Sequence, residues 1–378
     1  ALSNYLDIET VEVLRGPTGV DGLKATNLGR VSIQTRRPTF DFEARAALTF
    51  GERNTLIGTA ALGGGVIDDL LAVRFTLNRE TGDGPYKNAN DSHYTWRNTD
   101  RTSARAQFLI TPSKDFEALI TLDYTPTGRE ICENCFAFNN KTPAFYDWIN
   151  PATGTRGAVD YSNDAFGKLQ RRWFAQKTDY TIDDYYAREV NTLGEYPNTY
   201  ETKGATANLR FKLDENITLR SITGYRDYKF SQGAGSHTQF EWLRAPRGTQ
   251  TSFEQFSQEL RLDAKLGSAL RVRGGAFYYR GKFPNYSQTE RYGSDGGAWY
   301  ATAAQYALLD PVNPALPNAT DAAGRALLLN SVNGLITQRK ERYENESLAG
   351  YANVIWDATD RLTLNLGARV SRETRKSQ

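Results

Sequence analysis

The sequence has little of the material from which most active sites are built. Its 378 residues include two histidines, two cysteines and no methionine, so a His-based active site or a multi-ligand metal site has few residues to draw on. No stretch approaches the run of about 20 apolar residues that a membrane-spanning helix needs, which excludes helical spans. The charges nearly cancel, with 46 Lys and Arg against 44 Asp and Glu. This balance argues against a nucleic-acid partner, because proteins that bind nucleic acid carry a strongly basic face.

From about residue 40 onward, apolar and polar side chains alternate with a period of two. Between residues 41 and 51 one face carries Phe42, Leu48 and Phe50, while the other carries Glu43 and Arg45. This is the period of a β-strand with two different faces. Similar segments predict about eleven strands. Several of them reach the 9–11 residues with which a tilted strand crosses a bilayer.

The links between these strands also alternate in length. Long links are predicted at residues 81–101, 126–201, 231–250 and 281–344, and each is followed by a short turn. In an antiparallel meander every second link lies at the same end, so all the long loops lie on one side. This is the layout of a transmembrane, antiparallel up-and-down β-barrel with long extracellular loops. A soluble β-sandwich would also alternate, but it has no reason to collect its long loops at one end.

The predicted fold class is therefore all-β, and the strand count is informative. Single-chain bacterial barrels have even numbers of strands, and an open sheet edge cannot lie in lipid. Eleven strands are therefore expected to form part of a larger barrel, about half of 22. On this interpretation residues 40–378 are the N-terminal half of the barrel, and residues 1–39 belong to a different unit.

Residues 1–39 carry a distinct motif. It reads IETVEVLRGP at residues 8–17, continues through a glycine-rich stretch, and ends with VSIQT at 31–35 and RRP at 36–38. The stretch lacks the Gly-Lys-Ser/Thr ending of a phosphate-binding loop. Placed ahead of a β-barrel, the motif resembles the C-terminal end of the plug domain in TonB-dependent outer-membrane receptors, siderophore receptors among them. It departs from that pattern at Asp21, where Tyr is usual, and at Leu28, where Gly is usual.

The charged residues of this motif have two possible roles. They could be solvated charges on an edge strand, or they could join the plug to the barrel wall. The resemblance implies the second role for Glu9, Glu12 and Arg15, with Arg15 paired to the inward-facing wall carboxylates Glu259 and Glu346.

Aromatic residues are frequent in the predicted loops. Flat rings stack on sugars, catecholates or macrocycles, and a neighbouring arginine favours an anionic ligand, although any one ring can instead belong to the membrane-interface girdle or to a loop core. The candidate ligand-binding residues are Trp148, Trp173, Tyr228, Arg226, Tyr279 and Trp299.

Two cysteines, Cys132 and Cys135, form a CxxC pair in the longest loop. Such a pair can be a redox motif or half of a zinc site. Because there is no second CxxC and both histidines lie in other loops, a small disulfide in an oxidising compartment is expected.

Neither catalytic triads nor paired catalytic carboxylates nor cofactor fingerprints are visible, so an enzyme and a covalently bound cofactor are not expected. The resemblance implies a receptor in the outer membrane of a Gram-negative bacterium, in contact with lipid and lipopolysaccharide. It would capture a scarce nutrient, most often a ferric siderophore, and import it to the periplasm with TonB and the ExbB–ExbD motor. The alternatives are uptake of a glycan or cobalamin, and a surface binding or adhesion barrel without active transport.

Overall fold

A computed structural model describes the chain at residues 6–16, 28–88, 95–126, 128–131, 145–149, 156–160, 168, 171–175, 187–190, 197–235, 240–311 and 321–378. The strands are β1 (Ile8–Arg15), β2 (Gly29–Thr35), β3 (Glu43–Gly51), β4 (Thr55–Ile67), β5 (Leu71–Gly82), β6 (Lys87–Asn88), β7 (Thr99–Ser113), β8 (Phe116–Thr125), β9 (Phe145–Ile149), β10 (Arg156–Asp160), β11 (Glu189–Val190), β12 (Thr199–Lys212), β13 (Ile217–Gly235), β14 (Arg244–Leu266), β15 (Leu270–Arg291), β16 (Ile336–Thr359) and β17 (Leu362–Ser377). Short helices are α1 (Arg172–Ala175), α2 (Gly296–Tyr300), α3 (Ala303–Leu309) and α4 (Ala322–Asn330).

Eleven of these strands form one antiparallel sheet. Its order is β3-β4-β5-β7-β8-β12-β13-β14-β15-β16-β17, so each strand pairs with its neighbours along the chain once the small strands are set aside. The prediction of an up-and-down antiparallel β-barrel wall with eleven strands is confirmed. Within the described residues, none of the helices is long and apolar enough to cross a membrane.

The sheet buries its polar side chains and exposes its apolar ones, which is the reverse of a sheet in a soluble protein. On β5 the side chains of Arg74, Thr76 and Asn78 are buried, whereas Phe75 and Leu77 on the other face are 49% and 52% exposed. The face that carries Arg74 is called the inner face here, and the face that carries Leu77 the outer face. An exposed apolar face opposite a buried polar one is the arrangement of a barrel that meets lipid on its outside.

Several strands are longer than the alternation predicts. β14 begins at Arg244, β15 ends at Arg291 and β16 begins at Ile336, so parts of the predicted loops 231–250 and 281–344 are strand. The first eight residues of β16 read ITQRKERY and are polar on both faces. A strand with two wet faces loses the alternation by which sequence patterns identify it.

A separate two-stranded sheet precedes the barrel wall. Its strands β1 and β2 are antiparallel, with Arg15 opposite Gly29 and Ile8 opposite Thr35. Gly29 has a φ of +132°, and a Cβ at this position would collide with the carbonyl oxygen of Leu14. Only glycine fits there, which explains one glycine of the motif.

Candidate functional site

A buried ion cluster attaches the β1–β2 unit to the barrel wall. The side chain of Arg74, which is 1% exposed, donates to both carboxylate oxygens of Asp7 at 2.5 and 3.1 Å and to Glu43 at 3.1 Å. Asp7 immediately precedes β1, has a φ of +52°, and also lies 3.8 Å from Arg36. Because Arg74 and Asp7 are both buried and the arginine is bidentate, we expect this pair to hold this end of the unit firmly on β5.

The neighbouring strands add further contacts to the same unit. Arg105 on β7 donates to the carbonyl oxygen of Leu6 at 2.7 Å, and Gln107 lies two residues along with its amide 3.4 Å from the hydroxyl of Thr35. All these partners lie on the inner face of the wall. The β1–β2 unit is therefore docked inside the barrel wall, where a plug would lie.

The three charged residues predicted for this contact occupy a different part of the unit. Glu9, Glu12 and Arg15 lie on β1 and are exposed, whereas Asp7 makes the buried ion pair. The pairing of Arg15 with a wall carboxylate stays a prediction. Asp7 and Arg74 were missed because nothing local links two residues that are 67 positions apart. The one available signal was Arg74 itself, an arginine on the polar face of an alternating strand.

The two predicted wall carboxylates lie on opposite faces. Glu259 is 2% exposed on the inner face and accepts a hydrogen bond from the hydroxyl of Tyr351. Glu346 pairs with Arg280 at 3.4 Å and shares the outer face with Leu348, which is 59% exposed. The prediction that Glu346 faces inward is therefore wrong. The alternation of β16 explains this, since residues two positions apart project to the same side.

An ion pair crosses the inner face from β8 to β13. Arg226, a predicted ligand residue, donates to Asp123 at 3.0 Å, and the Asp123 side chain is 6% exposed. Gly204 lies between them on β12, where it is the direct partner of both residues. A Cβ on Gly204 would collide with Asp123 and lie 2.8 Å from Arg226. The glycine therefore makes room for the ion pair to cross the strand.

We expect the substitution Gly204→Val to displace this ion pair and to destabilise the barrel by about 1–3 kcal/mol, the usual cost of forcing extra atoms into a packed site. Guanidinium unfolding of the complete protein in lipid vesicles measures this. The matched control is Gly350→Val in β16, where an added Cβ meets no atom within 4 Å. An equal loss in both variants would show that strand glycines matter for a reason other than the ion pair.

Aromatic rings continue along the inner face beyond Arg226. Tyr228 is stacked with Phe230, and their ring centroids are 6.4 Å apart. The ring centroids of Phe253 and Phe283 are 4.7 Å apart. The hydroxyl group of Tyr279, another predicted ligand residue, lies beside Gly281. A Cβ added to Gly281 would be only 2.5 Å from the hydroxyl oxygen of Tyr279. The inner aromatic wall, as we call it, consists of Tyr228, Phe230, Phe253, Tyr279, Phe283 and Tyr343.

Part of the inner aromatic wall lines a cavity of about 500 Å³, which also contacts Gly281 and Arg375. Arg226 and Tyr228 on β13 and Tyr279 on β15 project to the same face of the sheet, on either side of β14. This surface can offer ring faces for stacking, hydroxyl groups for hydrogen bonds and a cation.

The predicted residues Trp173 and Trp299 lie in the core of the long loops. Trp173 is 1% exposed and Trp299 is 9% exposed, in one cluster with Phe174, Phe240 and others. The indole nitrogen of Trp173 donates to Asp295 at 3.0 Å. Burial raises the pKa of Tyr306 in the same cluster. The structure uses both tryptophans as loop-core residues, so a ligand contact by either of them stays a prediction.

The other predicted positions are less informative. Trp148 lies on the small strand β9, opposite Gly157 of β10. Cys132 and Cys135 lie outside the described residues, so their disulfide stays a prediction. In the described part of the chain, no group of three or more His, Cys, Asp or Glu side chains could hold a metal ion.

Taken together, the fold and the site define a class of protein: a transmembrane β-barrel with a separate two-stranded unit docked on the inner face of its wall. No protein-family model matches the chain, but known structures do. FyuA, the ferric yersiniabactin uptake receptor of Yersinia pestis, has a TM-score of 0.62 at 16% identity, over 98% of this chain and 45% of the receptor. The open form of Fiu, the ferric-catecholate import receptor of E. coli K12, has a TM-score of 0.56 at 16% identity, over 98% of this chain and 50% of the receptor. The ferripyoverdine receptor of Pseudomonas aeruginosa has a TM-score of 0.58 at 13% identity, over 100% of this chain and 43% of the receptor.

The chain therefore has the fold of the TonB-dependent outer-membrane receptors, and it spans about half the length of the receptors it matches. This confirms, at the level of the fold, the resemblance carried by residues 8–38. The similar proteins are receptors and transporters rather than enzymes. The boundary between the plug segment, 1–39, and the barrel, 40–378, stays a prediction.

Proposed function

We propose that this chain belongs to an outer-membrane receptor that binds a scarce nutrient at the cell surface and imports it to the periplasm with energy from TonB, ExbB and ExbD. The observation that carries the proposal is the β1–β2 unit, which is attached to the inner face through Arg74 and Asp7 while the outer face exposes apolar side chains. A wall that faces lipid and encloses a separate unit is the design of a plugged barrel, whose lumen opens only when the plug moves.

We propose a ferric siderophore as the ligand, bound without covalent attachment. Several similar structures are receptors for ferric chelates, by the names they carry, although a copper transporter shares the fold as well. The inner aromatic wall supports a chelate with flat ring systems, because rings stack on such ligands. Arg226, although paired with Asp123, lies next to this wall and can add a hydrogen bond to an anionic group of the ligand.

Uptake of an iron-55-labelled siderophore by cells that express the complete protein tests the transport step. We expect accumulation that disappears when TonB is deleted, while surface binding persists. Binding without any TonB-dependent accumulation would contradict the proposal and would favour a surface receptor or adhesion barrel.

A pair of tyrosine variants tests the ligand surface. We expect Tyr279→Ala to weaken siderophore binding about tenfold, since a lost stacking contact and its buried area are together worth about 1–2 kcal/mol. Tyr278→Ala is the matched control, because Tyr278 is the next residue of β15 and projects to the other face. Equal binding by both variants would place the ligand elsewhere.

A further inference from the structure

Three arginines lie side by side on the inner face near the short-turn end of the wall. Arg210 on β12 is the direct partner of Arg220 on β13, which is in turn the direct partner of Arg261 on β14. Like charges that face each other across neighbouring strands destabilise a sheet. Such a row, which we call the arginine row, therefore needs a compensating interaction.

The row lies on the inner face of the wall. Arg220 is six residues from Arg226 on the same strand, with no register shift between them, so both side chains project to the side where Asp123 is bound. The alternate residues Leu260 and Leu262 are 49% and 41% exposed on the outer face.

The carboxylates near the row only partly neutralise it. Asp263 is shared among three guanidinium groups, at 2.6 Å from Arg273, 3.2 Å from Arg261 and 4.0 Å from Arg220. At the other end of the row, Glu117 lies 3.4 Å from Arg210 and 2.5 Å from Arg37. Among the described residues, the three guanidinium groups of the row share these two carboxylates with Arg273 and Arg37, so the row itself keeps an excess of positive charge.

One hydrogen-bond donor of the row is unused. Among the residues that the structure describes, the buried Nε of Arg220 has no hydrogen-bond acceptor and lies 4.0 Å from Asp263, whereas the Nε of Arg261 lies 3.2 Å from the same carboxylate. Glu259, the nearest further carboxylate along β14, accepts a hydrogen bond from Tyr351. A guanidinium carries five donors in a planar fork that matches the oxygens of a carboxylate or phosphate. An oxyanion placed over the row would accept hydrogen bonds from its guanidinium groups and offset the repulsion.

We propose that the arginine row is an anion-binding site for carboxylate or phosphate groups of a small ligand. The row lies within a few residues of the turn at 213–216, at the end of the wall opposite the long loops. This location places the row on the path by which an anionic ligand would leave the lumen at the short-turn end. That role in the path of the ligand rests on the proposed transport function, whereas the binding itself does not.

Titration calorimetry of the complete, detergent-purified protein with inorganic pyrophosphate tests the site. We expect saturable binding that the double variant Arg220→Gln/Arg261→Gln weakens about 10- to 100-fold, the effect of removing charge-assisted hydrogen bonds. Binding to the native protein should also weaken as salt is raised. Arg280→Gln is the matched control, since it removes the same charge from the outer face, where Arg280 pairs with Glu344, and should leave pyrophosphate binding unchanged.

A second measurement guards against a folding defect. Because removal of like charges relieves repulsion, the double variant should unfold at the same or a higher temperature than the native protein without pyrophosphate. Pyrophosphate should raise the unfolding temperature of the native protein only.

Two results would overturn the proposal. One is no binding to the native protein, or equal affinity in the native protein and the double variant. The other is pyrophosphate binding that Arg280→Gln weakens as much as the double variant does, which would place the anion outside the row. If the native protein bound pyrophosphate but imported no siderophore, the proposed transport function would be wrong and the anion site would still be supported.

Discussion

Arg74→Met should destabilise the protein by about 3–5 kcal/mol, the cost of removing one partner from a buried ion pair. The native side chain is 1% exposed and neutralises Asp7 and Glu43 together. Methionine fills a similar volume but donates no hydrogen bond, so it leaves the Asp7 carboxylate, which is 9% exposed, without its main counterion. Guanidinium unfolding of the complete protein in lipid vesicles measures the loss.

The same strand supplies the control for this substitution. Arg79 on β5 pairs with Asp100 at 2.6 Å, but the two side chains are 46% and 33% exposed. Arg79→Met should therefore cost less than about 1 kcal/mol. Asp7→Asn combined with Arg74→Met should cost less than the sum of the single changes, because the two residues act through one contact. Additive losses would contradict the docking of the β1–β2 unit through this pair.

Leu77→Arg should also have a large effect, about 2–4 kcal/mol of lost stability in lipid vesicles. Leu77 lies near the middle of β5 on the outer face and is 52% exposed. If that face meets hydrocarbon, a guanidinium placed there must leave water or distort the bilayer, which carries this cost at mid-depth. The same substitution at an exposed site in water is usually within about 0.5 kcal/mol of neutral.

Leu77→Phe is the matched control, since it changes the shape of the side chain without adding charge. We expect little change from it in vesicles, because lipid chains accommodate either side chain. If Leu77→Arg were as stable as Leu77→Phe, the outer face would be in contact with water and the sheet would belong to a soluble protein.

The sequence predicts the wall where each strand has one lipid-facing and one polar face. Leu71, Val73, Phe75 and Leu77 alternate with polar or small residues, and β5 is found there as Leu71–Gly82. The ends of β14, β15 and β16 on the long-loop side are predicted as loop, because a strand segment that is polar on both faces shows no alternation of apolar and polar residues.

The candidate site is harder to predict because pairing depends on register. Asp7 and Arg74 meet only after β1 and β2 dock on the wall. The prediction for Glu346 is wrong for a simpler reason. Glu346 and Leu348 are two positions apart on β16, so their side chains project to the same face, and the apolar Leu348 indicates the outer one. Trp173 and Trp299 lie in loops, as expected, but composition alone does not separate a ring that binds ligand from one that packs in a loop core.

The central claim is that this sheet is a membrane wall with lipid on its outer face and a polar lumen on its inner face. Site-directed spin labelling along Leu71–Gly82 in lipid vesicles tests it most directly, by comparing collisions with oxygen and with a water-soluble nickel chelate. We predict a period of two, with high oxygen and low nickel accessibility at Val73, Phe75 and Leu77, and low oxygen accessibility at Arg74, Thr76 and Asn78. High nickel accessibility at Phe75 and Leu77 would contradict the claim.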